Sequence, residues 1–162
     1  MENKIYRVGM ADAKVTQSPG ILTTVGLGSC VGIVLYDPLT KIAGLVHIML
    51  PYSNKISDNS NKLKFADTGI RILIEEMVKI GANPKRLISK IAGGAQMFSS
   101  KISSDIMNIG ERNATATREV LGELGIPIVA EDIGGNYGRT IEFYSEDGRL
   151  LVKTIGYGIK YI

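Results

Sequence analysis

The chain holds one cysteine and one histidine, Cys30 and His47. A thiol and an imidazole are the parts from which a nucleophile is made. A free thiol has a pKa of about 8.5 and is only slightly ionised at neutral pH, whereas a neighbouring imidazole can take its proton. Cys30 follows Gly26-Leu27-Gly28-Ser29 and precedes Val31-Gly32. A glycine-rich turn ahead of a strand lets backbone N–H groups point at a small anion and lets a substrate approach closely, so Gly28 and Ser29 are candidates for holding an oxyanion.

The two reactive side chains meet if Asp37-Pro38-Leu39-Thr40 closes a hairpin with Tyr36 facing Lys41. The same register carried back along both strands sets Cys30 directly opposite His47, with both side chains on one face. Directly opposed residues have Cβ atoms about 4.5–5.5 Å apart, within reach of a sulfur-to-imidazole hydrogen bond. A slip of one residue would turn the pair to opposite faces. The imidazole also needs an acceptor for its second nitrogen. Thr24, near the end of the preceding strand, offers a hydroxyl, and Thr23 rivals it on sequence alone.

Other chemistries find less to stand on. A dinucleotide fingerprint needs G-x-G-x-x-G between a strand and a helix; here the third glycine comes one residue late, and Val31-Gly32-Ile33-Val34-Leu35-Tyr36 is strand-forming. No Walker-type glycine-lysine loop is present. One cysteine cannot form an internal disulfide, and one cysteine with one histidine cannot complete a structural zinc site. A net charge of +3, scattered basic residues and no tryptophan argue against a nucleic-acid surface. Apolar runs such as residues 42–51 are too short to span a bilayer. The N-terminus has no apolar signal region, so a cytoplasmic protein without membrane insertion is expected.

The elements that must position these groups follow from periodicity. Strands are predicted at Ile21–Val25, Val31–Tyr36, Ile42–Leu50, Leu87–Ala92, Ile126–Ala130, Thr140–Tyr144 and Leu150–Ile155, the last two joined through Asp147-Gly148. Residues 52–64, rich in Asn and Ser, read as a mobile polar surface loop. Ile70, Leu73, Ile74, Met77 and Val78 recur at helical spacing within Phe65–Ile80, with Gly81 as the stop. A second helix is expected over Gly110–Leu124, capped by Asn108 and ended by Gly125, with Val120, Leu121 and Leu124 facing the core. About seven strands and two helices without strict alternation imply an α+β fold with the helices on one side of a sheet system. With 162 residues and no linker, one domain over 1–162 is expected.

Several segments together closely resemble the CheD family, the chemoreceptor glutamine deamidases of bacterial chemotaxis. They are Thr24-x-Gly26-Leu27-Gly28-Ser29-Cys30, Tyr36-Asp37-Pro38, Gly44-Leu45-Val46-His47-Ile48-Met49-Leu50-Pro51, Ile91-Ala92-Gly93-Gly94-Ala95-Gln96-Met97-Phe98, Asn108-Ile109-Gly110-Glu111-Arg112-Asn113 and Glu131-Asp132-Ile133-Gly134-Gly135-Asn136-Tyr137-Gly138-Arg139. The resemblance runs from about Val8 to Gly156. It implies a cysteine hydrolase that converts selected glutamine side chains of chemoreceptor (methyl-accepting chemotaxis protein) cytoplasmic domains to glutamate, releasing ammonia through a thioester. Carried over, Cys30 is the nucleophile, His47 the base and later the acid, and Thr24 the residue orienting His47. No metal or organic cofactor is required. The implied fold has two sheets with helices against one of them. The resemblance also implies a partner, the CheC-type chemotaxis phosphatase, and Phe98 is a candidate contact for it. The competing readings are a binding module that mainly regulates that phosphatase, and a thiol amidase acting on small amides or peptides.

Overall fold

The computed structural model describes residues 4–97 and 108–162. Phe98 and the polar segment 99–107 lie outside the described residues. Among the described residues there are ten strands and two α-helices: β1 (Lys4–Arg7), β2 (Ala13–Gln17), β3 (Gly20–Leu27), β4 (Val31–Asp37), β5 (Ile42–Ile48), α1 (Ala66–Lys79), β6 (Ile88–Gly93), α2 (Ile109–Glu123), β7 (Ile128–Ile133), β8 (Arg139–Tyr144), β9 (Arg149–Thr154) and β10 (Gly158–Tyr161). The strands form two five-stranded sheets, ordered β1-β3-β8-β9-β10 and β2-β5-β4-β6-β7. Both sheets are mixed, since β1 runs parallel to β3 and β6 parallel to β7 while the other neighbours are antiparallel. The sheets stack on each other, and both helices pack on the second sheet. The α+β expectation holds. No helix among the described residues is long and apolar enough to cross a membrane.

β4 and β5 are buried at every residue. A strand covered on both faces needs apolar groups on both, which is why these two read as near-continuous apolar runs. Their side chains divide by parity. Val31, Ile33, Leu35, Ile42, Val46 and Ile48 pack with α1 and α2 in one core. Cys30, Val34, Tyr36, Ala43 and Leu45 pack with Leu22, Ile141 and Phe143 of the first sheet in the other. His47 shares parity with Ala43 and Leu45, so its side chain turns into the space between the sheets.

The helices lie where their periodicity puts them, and Gly81 (φ +115°) and Gly125 (φ +70°) follow their ends in the left-handed region. Val120 and Leu121 are buried and Leu124 packs against the same core. One correction concerns the cap of α2: Asn108 occupies the N-cap position, but its side chain makes no capping bond. Three strands escaped the sequence reading. β1 and β10 edge the first sheet and β2 edges the second; edge strands present one side to water, so KIYR, GIKY and AKVTQ carry too few apolar residues to register. The 52–64 segment contains two single turns of 3₁₀-helix, at Ser53–Lys55 and Lys62–Lys64. Asp67 holds it by accepting the Ser53 N–H at 3.0 Å and the Ser53 hydroxyl at 2.9 Å.

The β4–β5 hairpin differs from the expected register. Asp37 pairs with Ile42 rather than Tyr36 with Lys41, a shift of two positions in the pairing. The cause is the side chain of Asp37. Its buried carboxylate accepts Arg86 Nε at 3.0 Å and Nη2 at 2.9 Å, and the Asn83 N–H at 2.9 Å. That anchor keeps Asp37 in the strand and leaves Lys41 in the turn, at φ +59° with its N–H donating to the Asp37 carbonyl at 2.8 Å.

Arg86 beside it holds the Asp37 carboxyl well below the usual carboxylate range. A depressed carboxyl pKa contributes stability that is complete above about pH 4 and is lost as pH falls through the folded value. Asp37→Asn is expected to destabilise the protein by about 2–3 kcal/mol at pH 7, less than a fully buried broken pair because Arg86 can rehydrate. Urea unfolding of both proteins should show the gap narrowing below about pH 4; a gap independent of pH refutes the assignment.

Candidate active site

Cys30 is the residue just before β4 and is 8% exposed. The turn that presents it begins with an irregularity in β3 between Thr24 and Leu27, where Gly26 takes φ +74°. The end of β6 then clamps the turn from the side. The Gly94 N–H donates to the Cys30 carbonyl at 2.8 Å, and the Ala95 N–H to the Gly28 carbonyl at 2.8 Å. Gly93 must be glycine for this approach: it has φ +118°, and a Cβ there would lie 2.2 Å from the Cys30 carbonyl oxygen.

These bonds sort the candidate oxyanion donors. The Gly28 N–H is already donated to the Gly26 carbonyl at 3.1 Å. The N–H groups of Ser29 and Cys30 have no backbone acceptor among the described residues. Of the two residues expected from sequence, Ser29 has an N–H without a backbone acceptor among the described residues, whereas the Gly28 N–H is engaged.

His47 lies on β5 and is fully buried. Its Nδ1 is 2.7 Å from Thr24 Oγ1 on β3, so the contact crosses from one sheet to the other. Thr24 also donates its hydroxyl proton to the Val8 carbonyl at 2.6 Å. A threonine hydroxyl has one proton to give. With that proton on Val8, Thr24 can only accept from His47, which places the imidazole hydrogen on Nδ1 and leaves Nε2 with a bare lone pair. Nε2 is buried and has no hydrogen-bond partner among the described residues. Thr23, the rival, donates to the Ile141 carbonyl at 2.8 Å and takes no part.

The two-position shift in the hairpin puts Gly32, not Cys30, directly across from His47. Cys30 is therefore diagonal to His47, and no hydrogen bond joins the sulfur to Nε2. An even shift preserves the face, so both side chains still enter the same inter-sheet space. Gly32 keeps that space narrow: a Cβ there would come within 2.8 Å of Ile141 Cδ1 and 3.1 Å of Leu27 Cδ1.

Burial governs both reactive groups. It pushes the Cys30 thiol up, partly offset by its own N–H, and it lowers His47 to about 4. Both shifts favour the uncharged forms. Both shifts disfavour charge in the resting pair, so passage of the thiol proton to the imidazole would call for new charge to be stabilised elsewhere. The arrangement suits a thiol attack coupled to proton transfer onto Nε2. Val8 was missed because a backbone carbonyl leaves no mark in a sequence.

A family model described as CheD chemotactic sensory transduction matches residues 49–154. That match begins just beyond His47, but relatives matched over the whole chain include the site. One, named probable chemoreceptor glutamine deamidase CheD, from Caldanaerobacter subterraneus subsp. tengcongensis, is 88% identical over 162 residues and covers 100% of both chains. Another of the same name, from Lachnoclostridium phytofermentans, is 54% identical, covering 94% of this chain and 95% of its own. Among solved structures, the Bacillus licheniformis hypothetical protein YfiH aligns at TM-score 0.46 and 17% identity, over 81% of this chain and 59% of that one.

The chain has one histidine, so its nitrogen-15 signals need no assignment. Long-range proton–nitrogen spectra are expected to show the Nδ1-protonated tautomer from pH 5 to 8, with protonation near pH 4. A histidine lowered in the folded state contributes stability above its unfolded pKa of about 6.5 and loses it as pH falls to the folded value. An Nε2-protonated ring, or a midpoint near 6.5, would contradict the geometry.

Proposed function

The chain belongs to the CheD family, and on that premise we propose that it deamidates glutamine side chains of chemoreceptors, with Cys30, His47 and Thr24 as its working groups. The observation that carries this reading is the chain of bonds from Val8 through Thr24 to His47, which leaves a bare imidazole nitrogen on the face that holds the single cysteine.

In the proposed reaction the Cys30 sulfur attacks the glutamine carbonyl carbon as its proton passes to His47 Nε2. The C–S bond forms, and the carbonyl π pair moves onto oxygen, where the N–H groups of Ser29 and Cys30 donate to it. Imidazolium, held by Thr24, returns the proton to the amide nitrogen. Ammonia leaves as the C–N bond breaks, and a thioester remains. Nε2 then takes a proton from water, the hydroxide adds to the thioester carbonyl, and collapse releases glutamate and restores the thiol. One water is consumed and one ammonia is produced.

A thiol nucleophile must stay reduced, which supports a cytoplasmic setting, and the stacked layers support reading 1–162 as one domain. A CheC-type phosphatase is proposed as a second partner on the family resemblance alone. A pure binding module would have no use for a fixed imidazole tautomer, and this favours the enzyme.

The test is mass spectrometry of a chemoreceptor cytoplasmic fragment after incubation. Wild type is expected to convert defined glutamines to glutamate, and Cys30→Ala to convert none; full activity in Cys30→Ala ends the scheme. Thr24→Val should lower kcat by about 10²-fold, within the range of general acid–base effects, while Thr24→Ser keeps most activity.

A further inference from the structure

We propose that Asn113 is a positioning residue that ties the nucleophile turn to the histidine strand and aims the Cys30 N–H at the reacting carbonyl oxygen. This rests on the reading of Cys30 and His47 as nucleophile and base. Asn113 lies on α2 and is fully buried. Its Nδ2 donates at 3.0 Å to the Ser29 carbonyl and at 3.0 Å to the Met49 carbonyl. Only the nitrogen end of the amide can serve two carbonyl oxygens, so its orientation is fixed by chemistry. Ser29 precedes the nucleophile, and Met49 stands two residues beyond the base. One amide thus bridges the two segments whose relative placement sets the distance from sulfur to imidazole.

The bridge also sets a direction. The Ser29 carbonyl and the Cys30 N–H belong to one planar trans peptide unit and point opposite ways. Holding the carbonyl on Asn113 therefore turns the N–H away from α2. A donor beside the attacking atom is where the tetrahedral oxygen develops its charge.

The helix that carries Asn113 has little freedom to shift. A Cβ at Gly110 would lie 2.2 Å from the Ala95 carbonyl oxygen, and one at Gly94 would lie 3.2 Å from Ala114 Cβ. The first turns of α2 therefore bear directly on the loop that clamps the Gly28 and Cys30 carbonyls. Among the described residues the remaining atom, Asn113 Oδ1, is buried without a partner. The nitrogen end, by contrast, is engaged on two sides of the site.

The experiment compares wild type with Asn113→Ala and Asn113→Leu, the second keeping the volume without the donors. Three quantities are measured: folding by thermal melt, kcat and KM on the receptor fragment, and the rate of iodoacetamide alkylation of Cys30, the sole thiol. Folded variants are expected to lose about 10–100-fold in kcat with KM little changed, and to alkylate more slowly. Folded variants with kcat and alkylation within about twofold of wild type overturn the proposal. If wild type deamidates nothing, the functional reading fails by itself, while alkylation still decides whether Asn113 positions Cys30. If neither variant folds, the wild-type Asn113 amide is followed by NMR. Slow exchange with couplings to the Ser29 and Met49 carbonyls is expected, and a rapidly exchanging amide overturns the bridge.

Discussion

One hydroxyl proton organises the site. Thr24 gives it to the Val8 carbonyl, and the tautomer of His47 follows from that donation: which nitrogen carries hydrogen and which stays bare. The bond from Thr24 to His47 spans two sheets, so it exists only where the sheets come close. Gly32, opposite His47, removes the side chain that would hold them apart. The segment between β1 and β2 passes from one sheet to the other at the same place. Val8 donates its N–H to the Thr23 carbonyl, while the Ala11 N–H and the Asp12 carbonyl bond the backbone of His47. The crossover thus fixes acceptor and imidazole in one stroke.

The reactive turn is shaped almost wholly by backbone. Gly94 and Ala95 donate their N–H groups to the Cys30 and Gly28 carbonyls, Gly93 lets the two backbones approach, and the loop after β7 supports them through the Gly134 N–H on the Gly93 carbonyl and the Gln96 N–H on the Gly135 carbonyl. Behind that loop, Arg139 is buried and donates to Asp132 at 3.1 Å and to the Gly93 carbonyl at 3.3 Å. Arg139 belongs to the first sheet and Asp132 and Gly93 to the second, so this ion pair is another tie between layers. Glycines dominate here because carbonyl oxygens sit where a Cβ would be.

The sequence was informative wherever burial on both faces or a periodic stripe leaves a mark. β4, β5 and both helices declare themselves by apolar pattern, and the parity of Cys30 and His47 survives the error in register because strand faces repeat every second residue. The turn length was not legible, since it depends on Arg86 reaching Asp37 from 49 residues away. Edge strands carry too little apolar signal. Neither could Val8 be found, because any residue there supplies the same carbonyl. The neutral state of the pair depends on how deeply two residues are covered, and no local pattern encodes that depth.

Neutrality changes how the chemistry must be timed. A preformed thiolate would react with any electrophile that reached it. With burial raising the thiol and lowering the imidazole, charge separation costs free energy until something compensates for it. In the proposed reaction the compensation comes from the N–H groups of Ser29 and Cys30, which act only when a carbonyl is present to become an oxyanion. In the proposed reaction, proton transfer to Nε2, attack on carbon and charge on oxygen then belong to one event, with the substrate amide as its final piece. The same depth that disfavours charge in the resting pair makes each aligned donor count for more, because an interaction in a low-dielectric cleft is stronger than its counterpart in water. Small errors in aiming those donors should therefore be felt in rate rather than in binding.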